Sequence, residues 1–267
     1  LLDTPSVFVG SRGGTLTFDR VRVRSYESET VTPGRYRPFV LATDGARMDL
    51  FDSQFFDLGW DWNASYGVYS GRARGLLFRD CVFRNNALYG LDPHTYSRDL
   101  IIDGVVAEGN RAHGIIFSDF VRDSVIKNSI SRNNGENGIM MDKHATDNQI
   151  INNTVTGNAG DGLVTALSPR NVFSNNVIEG NRIGIRISPS DVATTVVTEN
   201  RLEANVRANE NAFVDSSNAM VANGGQWNWP LIKYIWMWAG GVLGVFAIWL
   251  VWATRRRRPQ GRRLAAI

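Results

Sequence analysis

Along most of the chain, short apolar runs alternate with polar residues at every second position, and Asn and Gly punctuate them at fixed intervals. The pattern Asn, three residues, Gly, apolar falls at Asn86…Gly90-Leu91, Asn110…Gly114-Ile115, Asn134…Gly138-Ile139 and Asn158…Gly162-Leu163, 24 residues apart each time. A fifth copy, Asn181…Gly184-Ile185, comes slightly early. A second series, Asn128, Asn152, Asn176 and Asn200, also recurs every 24 residues, within the strand-like strings VIKNSI, IINNTV, FSNNVI and VTENRL. Alternation at period two is the signature of a strand, and self-similarity at a fixed longer period is that of a solenoid.

Each coil of such a solenoid contributes a few short strands, and equivalent residues stack about 4.8 Å apart in adjacent coils. Stacked Asn side chains hydrogen-bond from coil to coil and tolerate tight turns, and Gly at the turn permits backbone angles that a Cβ forbids. A leucine-rich solenoid needs a regular Leu framework and shorter units, and both are missing. The pattern therefore predicts an all-β right-handed parallel β-helix over residues 1–211, with about 24 residues per coil. Earlier strings such as LTFDRVRV and MDLFDSQFFDLGWDWNASYGVYSG fit the same coil with irregular insertions. The period fades into AFVDSSNAMVANGGQWNWP, read as a cap and linker over 212–232.

A different pattern follows. From Tyr234 to Ala253 run twenty consecutive uncharged residues, enough for a helix of roughly 30 Å, the thickness of a bilayer's hydrocarbon core. Trp227, Trp229 and Tyr234 mark one interface, and Trp249 and Trp252 approach the other. Arg255, Arg256, Arg257 and Arg258 come directly after, with Arg262 and Arg263 close behind. The expectation is a single transmembrane helix over 233–253 and a basic cytoplasmic tail over 254–267, with the β-helix outside the cytoplasm. Leu1 opens on a strand-like string with no signal-peptide pattern, so the chain reads as a fragment of a longer precursor.

Charge supports that division. The formal net charge is +3, but all 26 acidic residues lie at or before Asp215, while seven of the 29 basic ones lie beyond residue 230. The body carries 22 basic against 26 acidic residues, a formal charge of −4, which removes a whole-surface case for nucleic-acid binding. The lone Cys81 forms no intramolecular disulfide.

Aligning coils on the repeat Gly brings candidate chemistry into columns. The residue before it is Tyr66, Tyr89, His113, Asn137 and Asp161 in successive coils. Two after it stand Tyr69, Asp92, Ile116, Met140 and Val164, and four after it Gly71, His94, Ser118, Asp142 and Ala166. Proton-transfer groups thus concentrate around Tyr89, Asp92, His94 and His113, with Tyr89 and His113 one coil apart and Asp92 and His94 on the same side of one strand. Pro93 between them removes a ladder donor from an inner strand, which points to function there. His144, the third His, reads as an ordinary surface residue, and no metal-ligand spacing is present.

The strings RPFVLATDG, SYGVYS, YGLDPH, HGIIFS, NGIMMDKH, DGLV and GIRI, between about Arg37 and Arg201, resemble the bacterial alginate (mannuronan) C5-epimerases, above all the periplasmic kind. YGLDPH is the specific part, matching that family's YG-apolar-DPH signature. The resemblance implies abstraction of the C5 proton of mannuronate within a polymer and reprotonation from the opposite face, giving guluronate. By resemblance His94 is the base, Asp92 supports the site, Tyr89 is the partner acid or base, and His113 precedes the next repeat Gly as in the periplasmic enzymes. Two positions depart from the family: Thr95 stands where the motif commonly has Asp, and Asp119 follows Ser118 where periplasmic members have Arg.

Arg98, Arg111, Ser118, Arg122, Asp142 and Lys143 are the candidate substrate-binding residues, with Arg122, Arg98 or Lys143 to supply the charge that faces the sugar carboxylate. The implied substrate is an anionic polysaccharide, with polysaccharide export or synthesis proteins as further partners. No cofactor is implied; extracellular relatives use calcium, but these residues specify no site for it. A polyuronate lyase and a catalytically inactive polysaccharide-binding β-helix are the alternatives, and the −4 body favours neither enzyme, since a polyuronate prefers a basic groove.

Overall fold

The computed structural model describes residues 7–25, 37–60, 66–212 and 217–221. Every regular element among them is a short β-strand, and all strand pairing is parallel. The strands fall into three sheets of nine, eight and nine members, each strand pairing with its counterpart one coil away. In the central coils the register steps by 24: Ile115 pairs with Ile139, Val125 with Gln149, and Ile130 with Thr154. This is the parallel β-solenoid that the repeat predicts. No helix among the described residues is long and apolar enough to cross a membrane; the expected span at 233–253 and the tail at 254–267 lie outside the described residues. Within the segment read as cap and linker, Ala219–Val221 pairs with Arg201–Glu203 as one more rung.

The core is built from columns of identical function. Phe78, Ile102, Ile126, Ile150 and Phe173 stack inside the second sheet, and Leu91, Ile115, Ile139, Leu163 and Ile185 inside the first, all essentially without solvent exposure. A parallel solenoid has no short hairpin turns, so its corners need their own hydrogen-bond partners. Buried amides supply them. The N–H of Asn86 donates to Asn110 Oδ1 at 3.0 Å, and the same bond repeats from Asn110 to Asn134, Asn158, Asn181 and Asn205.

The second Asn series differs from its sequence reading. The buried ladder runs Ser129, Asn153, Asn176, Asn200, Asn218. Asn128 and Asn152 sit one residue earlier, exposed, at φ 52° and 58°. The physical reason is a coil of 23 residues, in which Thr154 pairs with Val177, so a constant spacing of 24 crosses from one column to its neighbour.

The repeat glycines also serve a different end from the one expected. None of Gly90, Gly114, Gly138, Gly162 or Gly184 has positive φ. A Cβ on Gly90 would lie 2.5 Å from the carbonyl oxygen of Gly114 and 2.7 Å from Asn110 Nδ2, so close approach between coils excludes it. Positive φ falls instead on polar residues such as Asp99, Asp123 and Asp147, which tolerate it.

Candidate active site

The strand Leu91–His94 lies in the first sheet between Val68–Gly71 and Ile115–Ser118. Leu91 and the buried Pro93 point inward, so Asp92 and His94 share the outer face, as alternation requires. Toward Val68–Gly71 the ladder has four residue pairs, with Asp92 opposite Tyr69. Toward Ile115–Ser118 only Leu91 with Ile115 is paired. The Leu91 N–H donates to Gly114 O at 3.1 Å, and Pro93, two residues on, has no N–H to do the same.

Asp92 is 1% exposed, and neither carboxyl oxygen has a hydrogen-bond partner. Burial drives its pKa well above the ordinary carboxylate value; the charge of Lys143 opposes that rise and Asp142 adds to it. A buried polar group left unsatisfied costs stability, so such a residue is retained for another reason.

His94 Nδ1 is 2.6 Å from Thr95 Oγ1, and the Thr95 hydroxyl donates to Asp119 Oδ2 at 3.0 Å. Burial lowers the His94 pKa, Asp119 pulls it up, Lys143 lowers it, and Asp142 raises it. The Tyr69 ring packs against the imidazole with centroids 5.4 Å apart. Burial holds the Tyr69 phenol above its usual value, against a hydrogen bond with Thr95.

On the other edge of the face, the Tyr89 and His113 rings stack with centroids 5.2 Å apart and planes 2° from parallel, and Tyr66 meets Tyr89 edge-on. The backbone N–H of Asn137 donates to His113 Nδ1 at 3.2 Å. That leaves the hydrogen of the neutral ring on Nε2. Burial, with Arg186 adding to it, lowers the His113 pKa to about 4, so Glu136 Oε2, 3.3 Å from Nδ1, faces a neutral ring rather than an ion-pair partner. Burial holds the Tyr89 phenol well above its usual pKa.

One coil beyond His94, Ser118 Oγ donates to Asp142 Oδ2 at 3.4 Å, and Lys143 Nζ lies 3.9 Å from the same oxygen. Lys143 is exposed, and its charge reaches both Asp92 and His94. Arg98 and Arg122 stand past the turn that follows, in a column of bridges running Arg74, Arg98, Arg122, Thr146. There Arg98 lies 4.0 Å from Asp99, and Arg122 lies 3.3 Å from Asp123. Arg111 is exposed on the loop ahead of Ile115–Ser118. His144 stacks on Phe120, and Phe120 on Tyr96, outside the columns of the site.

The structure thus gathers Tyr89, Asp92, His94, His113, Ser118, Asp142 and Lys143. It adds Tyr69, Thr95, Asp119 and Arg186, which the sequence reading did not select. Tyr69 and Arg186 lie in the column of Asp92, two residues after the repeat Gly, and Arg186 extends it one coil past Val164. Thr95 and Asp119 lie outside the columns that were compared. Among the described residues no group of three or more His, Cys, Asp or Glu is placed to hold a metal ion.

Comparison with known proteins agrees with this architecture. The family described as a right handed beta helix region matches residues 58–225. A mannuronan C5-epimerase of Pseudomonas aeruginosa is 30% identical over a match covering 27% of this chain and 19% of that protein, so the chain spans about a fifth of that relative's length. Among solved structures, the periplasmic alginate epimerase AlgG superposes with a TM-score of 0.56 at 20% identity, covering 79% of this chain and 72% of that one. A single-site variant of AlgG gives 0.61 at 19% identity, covering 81% and 75%. These superpositions show a shared fold, and the resemblance to the epimerases read from YGLDPH stands.

Proposed function

The chain belongs to the right-handed β-helix family, and from the residues on the outer face of its first sheet we propose that it modifies an anionic polysaccharide by epimerising uronate residues at C5, mannuronate to guluronate. One observation carries the reading: a fully buried carboxyl with both oxygens unengaged, Asp92, beside a histidine, His94, on a surface-facing strand. Strongly perturbed ionisable groups converging on one face are the mark of proton-transfer chemistry.

The polymer runs along the stack of coils, as solenoid faces favour extended ligands. The C5 proton is acidic only when the adjacent carboxylate is neutralised. Lys143 supplies positive charge, and burial biases Asp92 toward the protonated form, in which it offers a hydrogen bond to the same group. His94 removes the C5 proton, leaving the electron pair delocalised into the carboxyl group. Tyr89, whose phenol keeps its proton at neutral pH, protonates C5 from the opposite face. The stacked neutral His113 fixes the Tyr89 ring and offers Nε2–H to the sugar. One proton leaves C5 and one arrives, both residues reset by exchange with water, and the redox state of the sugar is unchanged.

Proton NMR of polymannuronate incubated with the chain tests the reading: guluronate signals are expected, and their loss in His94→Ala. An unsaturated product absorbing in the ultraviolet would mean β-elimination, and polymer binding with no product would mean an inactive binder.

The uncharged run from Tyr234 to Ala253 and the arginines after it place this activity, in our reading, outside the cytoplasm on a single membrane anchor. Protease added to the outside of intact cells should then degrade the β-helix and spare the Arg-rich tail; the converse pattern would reverse the orientation.

A further inference from the structure

We propose that Thr95 and Asp119 are positioning residues that hold His94 as a base, through a carboxylate–hydroxyl–imidazole relay. The proposal rests on the reading of His94 above and extends it to two residues that the resemblance counts only as departures.

Proton inventory gives the direction of each bond. A threonine hydroxyl has one proton and two acceptor positions. That proton goes to Asp119 Oδ2 at 3.0 Å. The Tyr69 phenol, which keeps its own proton, donates to one acceptor position of Oγ1, and the 2.6 Å contact with His94 Nδ1 fills the other with the imidazole as donor. Nδ1 then carries the ring hydrogen, and Nε2 is left with a lone pair, the form a base needs. His94 Nδ1 lies 3.8 Å from Asp119 Oδ2, beyond hydrogen-bond reach, so the hydroxyl is the link.

Two further observations set this link apart from a chance surface contact. Thr95 holds φ 30° and its neighbour Tyr96 φ 58°, and Asp119 and Phe120 repeat the conformation one coil on at 61° and 70°. Positive φ is the rule in this column of corner residues, with Arg72 at 53° and Lys143 at 48°. What sets this corner apart is that a β-branched residue, Thr95, occupies it at a steric cost. Acids at the neighbouring corner are paired with arginine: Asp99 with Arg74 at 2.8 Å and Asp147 with Arg170 at 2.7 Å. Asp119 instead takes the Thr95 hydroxyl as its hydrogen-bond donor, with the neutral His94 ring 3.8 Å away.

When Nε2 takes the C5 proton, the imidazolium charge faces Asp119 across the hydroxyl, and no proton moves onto the carboxylate. The other groups facing His94 are Tyr69 from the coil before, Asp92 on its own strand, and Asp142 and Lys143 from the coil beyond the next. Asp119 favours the protonated ring more strongly than Asp142 does.

With three histidines in the chain, nitrogen-15 NMR of the histidine-labelled full protein resolves each ring, assigned by single substitution. His94 should show the Nδ1–H tautomer. Thr95→Val should lose it, and Thr95→Ser should restore it. Asp119→Asn, which still accepts from Thr95, should keep the tautomer but move the His94 titration and the acid limb of kcat/KM to lower pH. In both Thr95→Val and Asp119→Asn, kcat should fall, by at most the roughly 100- to 10,000-fold that a positioned general base contributes, with KM little changed. An unchanged tautomer in Thr95→Val together with an unchanged titration in Asp119→Asn would overturn the relay. These signatures do not depend on turnover: a relay seen without guluronate would retire the proposed substrate and leave the relay standing.

Discussion

At the scale of single residues the site is a set of opposed environments. Asp92 and His94 sit two residues apart on one strand, yet burial pushes the carboxyl up and the imidazole down, so both favour the neutral form. For Asp92 the sign of the stability effect follows. Its folded pKa lies above its unfolded value, so its contribution is fully present below the ordinary carboxylate range and is lost as pH rises toward the folded pKa. Asp92→Asn should therefore abolish epimerisation and raise the melting temperature at pH 7, with the gain shrinking as the pH is lowered to 4. Thermal melts across that range check it; a variant destabilised at pH 7 would show that the carboxylate is stabilised by a partner. Asp92, His94, Tyr89 and His113 were legible because they fall in columns set by the repeat Gly. Thr95 and Asp119 were not, because their partnership joins a turn residue to one 24 positions away, beyond the strand positions that alternation describes.

At the scale of elements, stability resides in the ladders. Asn134 is bonded on every side: its N–H donates to Asn158 Oδ1, its side-chain amide donates to Ala107 O, Ser131 Oγ and Asn158 Oδ1, and its Oδ1 accepts from the N–H and the side-chain amide of Asn110. Asn134→Ala leaves buried backbone groups without partners and should cost about 1–3 kcal/mol or more in denaturant unfolding. Asn152→Gly, at an exposed position in the adjacent column whose φ of 58° glycine adopts freely, should stay within about 0.5 kcal/mol. Equal costs would mean that the two columns have been assigned in the wrong order. That assignment is where reading by period fails: a coil one residue short keeps the spacing of Asn152 and Asn176 at 24 while moving them to different columns. The repeat Gly was legible as a position but not as a mechanism, since close approach between coils and positive φ demand the same residue.

At the scale of the whole molecule, the described residues form one parallel β-solenoid whose first sheet presents the site to solvent. The fold was almost wholly legible, because each coil repeats the same burial problem and solves it with the same residues. The uncharged run Tyr234–Ala253 is equally plain in the sequence, and the span read from it lies outside the described residues. Charge is the remaining tension: the body carries −4, so attraction to a polyanion must come from local cations such as Lys143 and not from the overall field. The most direct test of the central claim is proton NMR of polymannuronate turned over in deuterated water by the native chain and by His94→Ala. The account predicts guluronate carrying deuterium at C5 with the native chain and none with the variant. Guluronate formed with its C5 proton retained, or formed equally by the variant, would contradict it.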